Sequence, residues 1–224
     1  MPSPSSPARP APSAQAEAAR YALLRRLAPS MRHHLVVNLQ PIGMIYEVMD
    51  RRLRAPVPDL AHVQDSAGKI NGFAKAALSS CIDVVSWLAP DDSVATTVPD
   101  AVRECTALLA TSLSFRGYAL RNETGEVPGR VGRSGVRALL SACLLYWTDH
   151  AQAPADLAVA ATAQDDAAVV TVQLRPTEGT PAFPGEANYR PLEWADLEAL
   201  AAADGVQVRL EGQRIELRLP WMAA

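Results

Sequence analysis

From about Ala16 to Leu53 the apolar residues recur at helical spacing. Tyr21, Ala28, Leu35, Ile42 and Met49 fall at one core position of a heptad, and Leu24, Met31, Asn38 and Ile45 at the other. Pro29 and Pro41 lie inside this pattern, and each removes a backbone donor and is expected to bend the helix. Ala55-Pro56-Val57-Pro58 then turns the chain, and Asp59 is an expected cap for a second helix over about 59–88. That helix repeats Leu60, Val63, Ala67, Ile70, Phe73, Ala74, Ala77, Leu78, Cys81, Ile82, Val85 and Leu88 on one face. Two long helices joined by a short turn make an antiparallel hairpin. One hairpin does not cover its own apolar stripe, so a symmetric dimer forming a four-helix bundle is expected.

Past Ala89-Pro90-Asp91-Asp92 the period changes. A short strand is predicted near Thr96 to Val98, a helix from Pro99 to about Phe115, a strand around Tyr118 to Asn122 and a helix from Ser134 to Trp147. A hairpin pairs Leu157 to Thr162 with Val169 to Leu174 about Gln164-Asp165-Asp166. A helix from Leu192 to Ala203 ends at Gly205, and two closing strands, Val206 to Leu210 and Ile215 to Leu219, turn at Glu211-Gly212-Gln213. The class is α+β. A Pro-, Ser- and Ala-rich tail (1–14), expected to be disordered, precedes a helical hairpin (15–89) and an α/β sandwich with one mixed sheet (93–224).

Composition narrows the reading. With 49% apolar residues, the 224-residue chain can bury one large core or two modest ones. A net charge of −3 argues against general nucleic-acid binding, no apolar run reaches eighteen residues, and the start is not a signal peptide. A cytoplasmic protein outside the membrane is expected. Cys81, Cys105 and Cys143 are widely spaced in apolar helical contexts, where inert buried thiols are the default.

The candidate chemistry sits in Arg32-His33-His34-Leu35-Val36-Val37-Asn38-Leu39-Gln40. The heptad puts His33 opposite the core, in water, and His34 beside the seam. An exposed imidazole on a rigid helix has an available lone pair and a fixed position, as nucleophilic histidine chemistry requires. Adjacent helical residues point about 100° apart, so the pair does not form a two-ligand metal site, and no metal is expected. Val36 and Val37 extend the apolar surface beyond the seam, either as an exposed docking patch or as packing for the second domain. Lys69, Asn71 and Lys75 on the second helix either line the face of His33 or form a solvated face.

His33 to Gln40 resembles the H-box of sensor histidine kinases, particularly the subgroup reading H-R-x-K-N-N-L-Q, and the order of elements after the first dozen or so residues is similar to the same family. The resemblance implies that His33 is the phosphoacceptor, with His34 the second candidate and Asn38 part of the box. It also implies a dimeric helical domain followed by an ATPase-type domain. The departures are as informative. Where the family's nucleotide helix reads N-L-L-x-N-A, this chain has Ala142-Cys143-Leu144-Leu145-Tyr146-Trp147, and alanine and a neutral phenol are poor magnesium ligands. The adenine-reading D-x-G-x-G is replaced by Arg175-Pro176-Thr177-Glu178-Gly179. The glycine-rich lid is replaced by Thr180-Pro181-Ala182-Phe183-Pro184-Gly185-Glu186, whose two prolines offer no N–H to a phosphate.

These losses lead to an expectation of no cofactor, neither ATP nor magnesium. The leading function is a two-component histidine phosphotransfer protein or pseudokinase, relaying a phosphoryl group between His33 and response-regulator aspartates. Arg32, Val36, Val37 and Gln40 would dock receiver domains. Two alternatives use the same residues: a sensor kinase with an atypical ATP site, and a dimeric scaffold that binds regulators without being phosphorylated.

Overall fold

The computed structural model describes residues 12–179 and 189–222. Most of the tail and the whole segment Thr180 to Glu186 lie outside the described residues. Helix α1 (Ala14–Leu53) runs through Pro29 and Pro41 as one element, its first turn capped by Ser13 Oγ, which accepts from the Ala16 N–H at 3.1 Å. Helix α2 (Leu60–Leu88) is capped by Asp59, which accepts from the His62 N–H, and returns antiparallel to α1.

The rest of the chain runs β1 (Ala95–Thr96), α3 (Val98–Phe115), β2 (Tyr118–Asn122), β3 (Val131–Gly132), α4 (Arg133–His150), β4 (Ala155–Ala163), β5 (Ala167–Pro176), α5 (Trp194–Asp204), β6 (Gln207–Glu211) and β7 (Arg214–Pro220). Five strands form one mixed sheet in the order β2-β4-β5-β7-β6, in which only β2 and β4 are parallel. The β4–β5 and β6–β7 hairpins turn at the predicted places. Gly205 ends α5 at φ 65° and Gly212 closes the last hairpin at φ 56°, left-handed conformations that a side chain would strain. The strands β1 and β3 form a separate two-residue antiparallel pair. The predicted Thr96 to Val98 strand is thus shorter, and Val98 already starts α3, where Thr97 Oγ1 caps Asp100 N–H.

The hairpin and the α/β layer share one hydrophobic core. Leu23, Leu27 and Met31 of α1 and Trp87 of α2 join Leu109, Leu113, Leu140, Leu144, Leu197, Leu200 and Leu217 in a single cluster. Each fully buried leucine contributes about 1.5–3 kcal/mol relative to exposure. Because the lower half of α1 meets α3, α4 and α5, only one of the two predicted core positions is kept there: Met31 is buried and Leu24 half-buried, but the Tyr21 and Ala28 position is not in the core. Tyr21 is 67% exposed and Ala28 is exposed, whereas Ala16, Ala19, Leu23, Leu27, Ser30 and Met31 are buried.

On α2 the predicted apolar face resolves into two stripes. Val63, Ser66, Ile70, Phe73, Ala77, Ser80, Val84 and Trp87 keep a 3-4 spacing and are buried or half-buried. Leu60, Leu78, Cys81, Ile82, Val85 and Leu88 remain exposed, because the apolar arc is wider than one partner helix covers. Cys81 is therefore an exposed thiol rather than a buried one. Cys105 and Cys143 are buried as expected, the first pushed up to about 12 by burial and the second raised by the same cause.

Candidate functional site

The upper half of α1 follows the predicted seam, with Leu35, Asn38, Ile42, Ile45 and Met49 half-buried beside α2. Asn38 is the polar member. Its Nδ2 donates to His34 O at 3.1 Å and to Ser80 Oγ at 3.0 Å, while Ser80 Oγ donates to Ala76 O. Asn38 thus ties the two helices and points about 140° around the axis from His33. Its level with Ser80 puts Lys75 about 15 Å along the bundle from His33, and Lys69 is paired with Asp65 at 2.7 Å. The three α2 residues Lys69, Asn71 and Lys75 are exposed and are not gathered around the imidazole.

His33 is exposed and His34 partly so, their rings 6.3 Å apart and edge-on. Along the stripe Arg26, Ser30, His33 the cover changes abruptly: Ser30 is 8% exposed, and His33 is the first of the three to emerge. Val36, Val37 and Gln40, at three, four and seven residues beyond, flank it. Val36 is 45% and Val37 50% exposed, so the α/β layer does not bury either. Arg32 is exposed about 100° around the helix. Between Glu17 and Glu47 the chain has no acidic residue, so α1 itself brings only cationic charge near His33, from Arg25 and Arg32, while Asp83 of α2 is paired with Arg133 at 3.6 Å. Arg25 stands 5.4 Å from the Tyr189 ring, whereas Arg20 and Arg26 are bound to Asp204 and Asp149.

Counted at about 100° per residue, Leu39, Gly43 and Tyr46 of α1 lie on the same side of the hairpin as Ala74, Leu78, Val85 and Leu60 of α2. Val37, Met44 and Val48 lie on the other side. The lower half of α1 continues the first of these sides with exposed Tyr21 and buries the second under the α/β layer.

Helix α4 carries the sequence that departs from the nucleotide helix. Ala142, Cys143, Leu144 and Leu145 are buried among apolar neighbours. The Tyr146 ring is half-buried in an aromatic group, stacked on His150 at 4.2 Å and edge-on to Trp147 and Trp194 at 5.8 and 5.9 Å. Burial, and then the charge of Glu193, raises its phenol above the ordinary tyrosine value. Nothing in the periodicity announced this cluster. The density of rings at 146, 147, 150 and 194 was the available signal. Arg175, where the adenine aspartate would be sought, is bound to Glu123 through both terminal nitrogens at 2.6 and 2.9 Å. Among the described residues no group of three His, Cys, Asp or Glu converges as a metal site.

Two buried charge clusters, also missed by the sequence, fasten the hairpin to the α/β layer. Arg137 of α4, 3% exposed, donates to Ser86 Oγ at 2.9 Å and to Glu104, and stacks over Trp87 at 4.4 Å. Burial lowers its pKa, an effect the Glu104 carboxylate opposes. In the second cluster Asp149 accepts from Arg26, from the Leu192 N–H at 3.0 Å, and lies 3.6 Å from Arg116. No helix among the described residues is long and apolar enough to cross a membrane.

No family model matches the sequence, and no curated protein does. Among solved structures the chain is similar to the Acinetobacter baumannii histidine kinase AdeS, with 9% identity over 85% of this chain and 98% of that one and a TM-score of 0.45. It is similar to a histidine kinase from Burkholderia phymatum STM815, with 14% identity over 95% and 100% of the two chains and a TM-score of 0.44. A bacterial phosphotransferase shares 17% identity over 94% and 98%, with a TM-score of 0.38. These are similarities of backbone shape between chains with few residues in common.

Proposed function

We propose that this protein is a histidine phosphotransfer protein of a two-component pathway, working as a homodimer and without ATP. The observation that carries the reading is His33 itself: exposed where α1 leaves the α/β cover, flanked by Val36, Val37 and Gln40, on a stretch of helix that has arginines and no carboxylate. An unprotonated ring nitrogen attacks the phosphorus of a receiver's aspartyl phosphate. The N–P bond forms as the acyl P–O bond breaks, and the electron pair leaves with the aspartate carboxylate. The return transfer to a second receiver reverses these bonds. The receiver brings the acidic pocket and its metal, so this chain supplies a nucleophile and a docking face. Arg32, next to His33 but on the bearing of Leu39, and Arg25 add positive charge that attracts that acidic pocket at a distance and do not touch it. Val37 and Gln40 would meet the receiver beside the imidazole, with Val36 at the edge of the contact.

The second copy fits the other side. Leu39, Tyr46, Leu60, Leu78, Ile82 and Val85 are each more than half exposed and repeat along both helices, as a self-complementary four-helix seam requires. The Tyr146 cluster on α4 supports the absence of nucleotide, since the ring stands where the resemblance asks for a metal-holding carboxamide.

The test is radiolabel transfer from a receiver domain phosphorylated beforehand, set beside incubation with labelled ATP and magnesium. Label on the wild-type chain from the receiver, absent in His33→Gln and present in His34→Gln, is the expected result. Label taken directly from ATP would restore the kinase reading, and binding of receivers without label would leave the scaffold.

A further inference from the structure

The heptad relation between Arg26 and His33 has a structural counterpart at the foot of α4. Seven residues, or two turns less about 20°, separate them, so they share a bearing on α1 about 10 Å apart along its axis. Arg26 is gripped by Asp149 in a bidentate pair, both N···O distances 2.7 Å, with the two side chains 5% and 4% exposed. The same carboxylate accepts from the Leu192 N–H before α5. The preceding Thr148 takes Arg116, at the end of α3, through its hydroxyl at 2.7 Å and its carbonyl at 2.8 Å. Helices α1, α3 and α4 and the approach to α5 therefore meet at one buried carboxylate, about two turns below the point where α1 emerges at His33.

Apolar contacts alone leave a helix some freedom to rotate or slide, because dispersion is not directional. A planar fork on a planar carboxylate fixes both angle and height. A buried pair of this kind seldom adds net stability over well-packed apolar residues of similar volume, so its contribution here is sought in geometry.

We propose that Arg26 and Asp149 are a positioning pair: they set the rotation and axial register of α1 against the α/β layer and thereby fix where His33 is presented. This rests on His33 being the phosphoryl acceptor, as proposed above, but it makes a claim about geometry that is measurable without a partner.

The test is the double variant Arg26→Met/Asp149→Leu in the full chain, which removes both charges and leaves neither one buried alone. Spin labels on Glu47→Cys and Arg121→Cys, with Cys81→Ser removing the exposed thiol, report the placement of α1 against the sheet, and transfer is measured on the unlabelled chain. The expected result is a chain that stays folded with a modestly lower melting temperature, because the Leu192 N–H loses its acceptor, and a broadened or shifted label distance. Transfer from a saturating phosphorylated receiver should be about tenfold slower, and receiver affinity should change less than twofold. An unchanged label distance in the folded double variant overturns the proposal, and so does an unchanged transfer rate. If His33→Gln abolishes nothing in the parent background, the functional reading fails, while the label distance still decides whether the pair sets the register.

Discussion

Along the first half of α1 the buried positions are Ala16, Ala19, Leu23, Leu27 and Met31, and their partners are α3, α4 and α5. Along the second half they are Leu35, Asn38, Ile42, Ile45 and Met49, only half-buried, and the partner is α2. The two halves are one helix with one backbone geometry. What differs is how much of the circumference is covered. Below His33 a layer of helices seals one side of α1, and above it a single antiparallel helix leaves two flanks open. The comparison teaches that apolar periodicity reports that a helix has a buried face, while the face actually buried depends on which neighbour arrives.

The sharpest way to test this contrast is to empty a position in each half. Leu27→Ala removes a side chain with no exposure from the shared core, and the unfolding free energy should fall by about 2–5 kcal/mol. Ile42→Ala, half-buried between two helices, should cost about 1 kcal/mol. Urea titration followed by circular dichroism measures both. Equal losses would mean that the upper bundle is as well packed as the core, and the account of two open flanks would fail.

The open flanks should separate next, because each has its own occupant in the proposed function. Leu78→Glu puts a charge on the side shared with Leu39 and Tyr46 and should dissociate the dimer, read as a halved mass in sedimentation. Val37→Glu, beside His33, should leave the mass unchanged and slow transfer from a phosphorylated receiver at least tenfold. Val37→Glu that dissociates the dimer would reverse the assignment of the two sides. Within the seam itself the effect is smaller. Asn38→Ala should cost about 0.5–1.5 kcal/mol, and a cycle with Ser80→Ala should show the two losses to be coupled through their 3.0 Å hydrogen bond.

The difference between the halves also marks how far the sequence could be read. Strands β2, β4, β5, β6 and β7 lie within a few residues of their predicted positions, because alternation and turn residues such as Gly212 are local signals. The bearing of His33 away from α2 was legible too, since that seam is built by an adjacent helix at short range. The lower register was only half legible: Leu24 and Met31 turn inward as predicted, but Tyr21 and Ala28 fit the heptad as well as Leu23 and Leu27 do, and the choice is made by elements about seventy residues or more further on. The pairing of β1 with β3 was lost for a similar reason, two residues being too few to show a period. Arg26 with Asp149, Arg137 with Glu104 and Tyr146 with Trp194 all join distant segments, and side-chain chemistry alone does not announce such meetings.

Acid offers the mildest way of acting on the lower half alone. Helix α5, which covers it, opens with Asp196, whose carboxylate accepts from the Glu193 N–H at 2.9 Å and from both terminal nitrogens of Arg190 at 2.6 and 2.8 Å. Leu192 and Leu197, on either side of this start, are fully buried, as a hydrophobic staple requires. The hydrogen bonds from Arg190 hold Asp196 below the ordinary carboxylate value, against an opposing effect of burial. A carboxylate depressed in the folded state adds stability that is fully present above its unfolded value of about 3.9, and that stability disappears as the pH falls through the lower folded value. The urea midpoint should therefore decline as the pH drops from about 5. Asp196→Asn should start lower at neutral pH and decline less steeply, because one titrating group has been removed. Amide exchange should show the loss first in α5 and in residues 16–31 of α1, with 34–49 following only at global unfolding. Parallel pH profiles for parent and variant, or earlier exchange in the upper half, would show that the start of α5 does not govern the cover of lower α1.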